Sequence, residues 1–219
     1  MDGATQKTVY LIRHGQSTFN LAYKVENKDP WLFDARLTSL GETQADGLRN
    51  LVAEKLHDIE LIVSSPLTRA MDTTNRAFRE VLLKRKELKV RVIKHHSEYV
   101  CTSDDNGRHL SEVSKEFPHF DFTEVTEERW WYVPDQLKKD LSIDYQEYFK
   151  TKGYREPYED LKQRFIDFKE WLLSQKESKI AVVGHSDFFY HLFKEKLPVF
   201  ANCQVLEWNI DTDESKFLN

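Results

Sequence analysis

Two arginines and two histidines in this chain stand where they can meet. Arg13 and His14 end the apolar run Val9-Tyr10-Leu11-Ile12 and precede Gly15. Arg69 follows the run Ile59–Ser64, and His185 follows Ile180-Ala181-Val182-Val183-Gly184. Guanidinium forks pair with phosphate oxygens while remaining charged, and imidazoles add hydrogen bonds or attack phosphorus. The set suits a tetrahedral dianion. Taken singly, each member has a plainer reading, Arg13-His14 as a solvated loop pair and Arg69 as a surface arginine. Glu98 adds a carboxyl after a third strand-like run, with Asp104 and Asp105 as competitors a few residues on.

Other chemistries fit less well. A Walker-type phosphate loop and a dinucleotide fingerprint are absent, and Gly184-His185-Ser186-Asp187 lacks the second glycine of a nucleophile elbow. The histidines lack metal-ligand spacing, His95-His96 with Asp104-Asp105 being the arrangement that keeps a metal site open. A net charge of -5 argues against a nucleic-acid partner, which clustered basic charge would have to hold. Cys101 and Cys203 are far apart and read as reduced thiols. Met1–Lys7 has no apolar stretch of the secretory kind and no run is long enough to cross a bilayer, so a cytoplasmic protein without a membrane partner is expected.

The elements that must position these residues are strands ending at one sheet edge. Val9–Ile12, Ile59–Ser64, Lys89–Ile93 and Lys179–Val183 have the β-branched and aliphatic composition of buried strands. Helical spacing separates them. Ser39 and Glu42 form a capping-box pattern ahead of Leu40, Ala45, Leu48, Val52 and Leu56. Ser65-Pro66 reads as the start of a helix running to about Lys86, with Arg69 in its first turn, where a cation opposes the helix dipole and invites an anion. Pro157 opens a long helix through Leu161, Phe165, Phe168 and Leu172, and Gln204–Ile210 reads as a last strand before a polar tail, Asp211–Asn219. The alternation predicts an α/β fold, a three-layer α/β/α sandwich with a mostly parallel central sheet. With 219 residues, 40% of them hydrophobic, residues 1–219 suit a single domain. The aromatic, irregular stretch at about 101–155 is expected to be a cap-like insertion over the strands' C-terminal edge. Most of its aromatics are expected to pack, with Trp130 and Trp131 as candidates to select a leaving group.

The stretch Leu11-Ile12-Arg13-His14-Gly15-Gln16-Ser17-Thr18-Phe19-Asn20 resembles the signature of the histidine phosphatase superfamily in its phosphoglycerate-mutase-like branch, branch 1. Leu37–Ala45, Ser64–Thr73 and Val182–Ser186 are similar to its supporting segments, in the same order. The resemblance implies that His14 is the nucleophile that becomes phosphohistidine. Arg13, Arg69 and His185 would bind the transferred phosphoryl group, with Asn20, Gln16 and Ser17 assisting. It also implies a general acid, for which Glu98 is the first choice and Asp104 or Asp105 the alternative. No metal and no cofactor are implied. The substrate would be a small phosphorylated molecule, with a phosphopeptide as a second option. A phosphatase is favoured over a phosphoglycerate mutase because the Glu-Arg-His-Tyr-Gly segment of the glycolytic mutases is missing between Glu98 and Arg155. An inactive phosphate-ester-binding scaffold is a further alternative, disfavoured because all five chemical residues are present.

Overall fold

The computed structural model describes residues 6–219, so the reading of Met1–Lys7 falls mostly outside the described residues. Four strands of one sheet run parallel: β1 (Thr8–Arg13), β2 (Leu61–Ser64), β3 (Val90–Val92) and β4 (Lys179–Gly184). β5 (Val205–Asn209) lies antiparallel beside β1, and β6 (Ser215–Phe217) closes that edge, giving the order β3-β2-β4-β1-β5-β6. β4 pairs with both β1 and β2, so Arg13 lies level with Gly184, and Ser64 with Val183. That register delivers the residues after three strands to one place.

Each central strand buries both faces and so divides its side chains between two cores. Tyr10, Ile12, Ile62, Ala181 and Val183 face α2 (Ser39–Lys55) and α3 (Thr68–Ala77). Val9, Leu11, Leu61, Val63, Ile180 and Val182 face α8 (Tyr158–Ser174) and α9 (Ser186–Leu192). The result is the expected three-layer sandwich. Fully burying one such aliphatic side chain is worth about 1.5–3 kcal/mol, enough to fix the two-residue alternation against a one-residue slip.

Several element boundaries differ from the sequence reading for physical reasons. The α2 cap is Thr38, whose side chain accepts from the Gly41 amide at 3.0 Å, and Ser39 is the first helical residue. Glu42 instead pairs with Arg76 at 2.8 Å. α3 starts at Thr68 rather than near Pro66, because its first amide is satisfied from a distance: Thr68 N–H donates to Asp34 at 2.8 Å. The helix expected to reach Lys86 bends at the buried Phe78 into α4 (Arg79–Lys84). The polar tail is a strand, since the chain turns at Asp213 (φ 60°) and returns as β6, an edge position that suits alternating polar residues.

The stretch 101–155 carries α5 (Leu110–Glu116), α6 (Asp135–Lys139) and α7 (Tyr145–Lys152). Asp121 extends the sheet beside Arg91, and Trp130, Trp131, Phe117, Phe120 and Tyr145 join the core on the α2–α3 face. Trp130 and Trp131 are therefore packing residues. Trp130 donates to the Arg108 carbonyl at 3.0 Å, and its ring fills the space where a Cβ on Gly107 would stand.

The capping assignment is testable in urea. Thr38→Ala is expected to lower stability by about 1–2 kcal/mol, and Ser39→Ala to change it by less than about 0.5 kcal/mol. The reverse order would place the cap at Ser39.

Candidate active site

His14 leaves β1 and is 2% exposed. Its backbone is held on both sides: its amide donates to the Gly184 carbonyl at 3.0 Å, and Asn202 donates to its carbonyl at 3.1 Å. Nδ1 lies 2.7 Å from the Gly15 carbonyl, which can only accept, so Nδ1 carries the proton. Nε2 accepts from Arg69 Nε at 3.1 Å and keeps its lone pair. Burial, then Arg69 and Arg13, hold His14 well below the usual histidine range. Neutral imidazole with a directed Nε2 lone pair is the form that can attack phosphorus.

The loop that carries this histidine fits only because two glycines meet. A Cβ on Gly15 would run into the Gly41 carbonyl, and a Cβ on Gly41 into the Gln16 carbonyl. The Gly15 amide donates to Thr73 of α3 at 3.0 Å. The first turn of α2 and the body of α3 thus press directly on the backbone beside His14.

Arg69, 1% exposed, meets three segments. Beyond His14 it donates to the Asp104 carbonyl at 2.5 Å and lies 3.4 Å from the carboxylates of both Asp104 and Asp105. The anion invited by a cation in the first turn of α3 is thus supplied by the chain itself. Arg13 donates to the Phe200 carbonyl at 2.5 Å. His185, 0% exposed, lies 5.2 Å from His14 between ring centroids, and its Nε2 is 2.8 Å from Ser65 Oγ. Burial, then Arg69, lower its basicity too. Among the described residues, Arg13 Nε and His185 Nδ1 are buried and have no hydrogen-bond partner.

Glu98, 8% exposed, sits differently. Its Oε1 accepts from the Tyr99 amide at 2.9 Å and the Phe188 amide at 2.8 Å, and its Oε2 from the Asp187 amide at 3.2 Å. Burial, then the charges of Asp187 and Asp105, push it up to about 8. Asp104 and Asp105 are pushed up by burial as well, while Arg69 pulls both back. Asp105 Oδ2 is further occupied by the amides of Cys101 at 3.0 Å and Thr102 at 2.9 Å.

The remaining residues singled out from the sequence lie beside this group with evident local duties. Ser17 caps α1 (Thr18–Glu26) by accepting from the Asn20 backbone amide at 3.1 Å, and Asn20 Oδ1 accepts in turn from the Ser17 backbone amide at 3.1 Å. Gln16 accepts from Thr38 at 2.9 Å through its side chain. His95-His96 does not join Asp104-Asp105, since His96 Nε2 faces the Val183 carbonyl at 3.2 Å and its ring stacks on Phe168. Among the described residues no group of three or more His, Cys, Asp or Glu side chains is arranged to hold a metal ion. Cys101 and Cys203 are free. No helix among the described residues is long and apolar enough to cross a membrane. Ser65, Asn202 and Asp34 are site neighbours that sequence reasoning missed. Ser65 precedes Pro66 in a helix-start pattern that hid its contact with His185, and no local pattern marks the other two.

With this geometry in view, comparison with known proteins is decisive at the family level. The model of the histidine phosphatase superfamily (branch 1) matches residues 9–200. The chain belongs to that superfamily. Among branch 1 relatives, "Phosphoglycerate mutase-like protein 1" of Arabidopsis thaliana is 30% identical, over 91% of this chain and 79% of the relative. A Schizosaccharomyces pombe protein named "Probable phosphatase" is 29% identical over 82% of this chain and 74% of its own. In fold, the chain is similar to the alpha-ribazole phosphatase from Shigella flexneri, with a TM-score of 0.59, 18% identity and coverage of 96% of this chain and 94% of the other.

The buried neutral histidines predict a pH dependence of stability. His14, His96 and His185 all have lowered basicity in the fold, His96 to about 3. The unfolded chain then binds protons below about pH 6.5 that the folded chain refuses, so the histidines' contribution is full above that pH and falls as pH drops, each with a slope of about 1.4 kcal/mol per pH unit. Glu98 and Asp104, held protonated up to about 8, contribute with the opposite sign over the same window. The histidine part is therefore read as a difference: in urea titrations His96→Gln should lose less stability, or gain more, than the wild-type chain between pH 7 and 5, and ¹⁵N NMR should show His14 as the Nδ1–H tautomer throughout. An Nε2–H signal would remove its lone pair from the site.

Proposed function

We propose that the chain is a cytoplasmic, metal-independent phosphomonoesterase that works through a phosphohistidine on His14. The observation that carries this reading is the fixed tautomer of His14 beside two buried nitrogens, Arg13 Nε and His185 Nδ1, that have no partner among the described residues. With the Ser65 hydroxyl donating to its Nε2, His185 carries its proton on Nδ1 and both nitrogens are donors. Such donors, held in place before substrate arrives, stabilise charge developing on phosphoryl oxygens. Arg69 Nε–H passes from His14 Nε2 to a phosphoryl oxygen, which frees the Nε2 lone pair to attack phosphorus, and the P–O bond to the leaving group breaks. The leaving oxygen takes a proton from Glu98. Water then attacks the phosphohistidine, gives its proton back to Glu98, and inorganic phosphate departs as the P–N bond breaks.

Burial pushes Glu98 and Asp104 alike up to about 8, so both are protonated at neutral pH. Glu98 suits the acid's part better than Asp104 or Asp105 because Arg69 lies 3.4 Å from each of their carboxyls and no arginine pairs with its own, and its Oε2, which accepts only one longer bond, is the oxygen free to carry the proton. Small phosphorylated molecules, and in second place phosphopeptides, fit the role of substrate.

Hydrolysis of p-nitrophenyl phosphate in EDTA should proceed and be abolished by His14→Ala, and ³²P label trapped in acid–base quenched enzyme should be acid-labile and alkali-stable. Arg69→Ala is expected to lower kcat about 10²–10³-fold, the usual effect of removing one preorganised donor. Activity retained in His14→Ala would move the nucleophile elsewhere. Transfer of phosphate to 3-phosphoglycerate primed by 2,3-bisphosphoglycerate, outpacing hydrolysis, would make the enzyme a mutase, and no turnover of any ester would make it a binding scaffold.

The pH profile gives an independent check. His14 is already neutral at mildly acid pH, whereas Glu98 loses its proton as pH rises through about 8. With an alkyl phosphate, kcat/KM should therefore be flat from pH 6 to 7 and fall above about 8. Glu98→Gln should abolish that alkaline limb along with most of the rate.

A further inference from the structure

Glu98 is held by its backbone as well as by its carboxylate. Arg164 of α8 donates to the carbonyls of His95 at 2.9 Å, Ser97 at 2.8 Å and Glu98 at 3.3 Å. Its other donors make a bidentate pair with Glu156, both bonds 2.7 Å. All five N–H groups of the guanidinium are thereby used. Glu156 is buried at the start of α8, and it also binds the far side of the loop: Glu156 Oε2 accepts from the Val100 amide at 3.3 Å, and its own amide donates to the Val100 carbonyl at 2.9 Å. The guanidinium lies 5.2 Å from the ring of Phe188, whose amide donates to Glu98 Oε1.

We propose that Arg164 and Glu156 form a charge-neutral clamp that positions Glu98 against the start of α9 for proton transfer. The proposal rests on Glu98 being the acid. Five donors aimed at carbonyls and at one carboxylate fix the loop on both sides of Glu98, yet none reaches the Glu98 carboxyl. An arginine paired directly with that carboxyl would drop its pKa and take away the proton it must give. Glu156 cancels the charge of Arg164, so the clamp supplies position without the field of a cation. The other charged or titratable groups facing Glu98 are Asp187 of α9, Asp105 and Cys101 of the following loop, Arg69 of α3 and Arg13 of β1. Arg164 and Glu156 are positioning residues in this scheme, because they touch the backbone of the acid and not the substrate.

The test uses the full chain and two substrates, an alkyl phosphate whose leaving oxygen needs a proton and p-nitrophenyl phosphate, which needs little help. Glu156→Gln leaves the arginine charge uncancelled and should move the alkaline limb of kcat/KM for the alkyl substrate down by about one pH unit. Arg164→Gln leaves the Glu156 charge uncancelled and should move it up. Glu156→Gln/Arg164→Met leaves neither charge and should return the limb to its wild-type position, while kcat/KM for the alkyl substrate, which reports the steps up to P–O cleavage, stays about tenfold low and that for the aryl substrate changes little. Should either single variant fail to fold, the double variant carries the test through its alkyl-to-aryl rate ratio, because it buries no unpaired charge. An unmoved limb in the folded single variants, or equal loss on both substrates in the double variant, would overturn the clamp. Glu98→Gln separates the two levels. If it lowers kcat/KM for the alkyl substrate selectively and the clamp variants behave as wild type, the clamp alone fails. If it treats both substrates alike, the acid assignment fails and the clamp with it.

Discussion

The structure depends on burying one guanidinium. Arg69 is inside the protein, where an uncompensated cation would cost several kcal/mol even after relaxation. Its partners come from chain segments that would otherwise have no reason to meet: His14 after β1, and Asp104 and Asp105 from the loop after β3. Just ahead of it, Asp34 takes the first amide of α3 and also binds Arg108 at 2.8 Å. Arg108 in turn reaches Glu116 of α5 at 2.9 Å. Satisfying this arginine therefore organises the surroundings of His14, the start of α3 and the beginning of the 101–155 stretch together. It also explains why so polar a loop as Ser103–Asn106 is buried.

The state of His14 follows from the same burial. Desolvation and two neighbouring guanidinium groups remove its tendency to take a second proton, and the Gly15 carbonyl decides which nitrogen keeps the first. That carbonyl is where it is because Gly15 and Gly41 let the β1 exit and the α2 start touch backbone to backbone. The cap on α2 contributes to the same fit. Thr38 accepts from Gly41 through its side chain and donates to the Gln16 side chain, so helix start and loop are tied at the level of single hydrogen bonds. Packing, capping and tautomer are one problem solved at one place.

Much of this was legible in the sequence because strand exits can be read from apolar runs that stop at a glycine or a charge. Val9–Ile12 before Arg13 and Ile180–Val183 before Gly184 announce themselves, and parallel pairing brings their ends to one edge. Their direct pairing also explains why His14 and His185 meet at a distance in sequence without any local signal. Harder to see were contacts in which one segment completes another. Asp34 as the cap of α3, Asn202 on the His14 carbonyl and Arg164 on the Glu98 loop involve residues whose types are common on surfaces. The boundary of α2 slipped by one residue because Thr38 and Ser39 are both good caps, and only the Gly41 contact selects Thr38. The edge strand β6 was masked by its polarity, which is what an exposed edge tolerates.

The loop from Glu98 to Asp105 holds three buried carboxyl groups against different neighbours. Burial raises all three, Glu98 and Asp104 to about 8. Asp104 and Asp105 face the Arg69 guanidinium, which pulls both back, and Asp105 also accepts the Cys101 and Thr102 amides. At Glu98 the like charges of Asp187 and Asp105 add to the effect of burial, and the Tyr99 amide and the Arg69 charge offset it only in part. The difference between them is contact with the guanidinium and not depth. A site that must both bind phosphate with arginine and lend a proton from a nearby acid has to keep those environments apart. This fold does so by sending Asp104 and Asp105 to α3 and Glu98 to the start of α9.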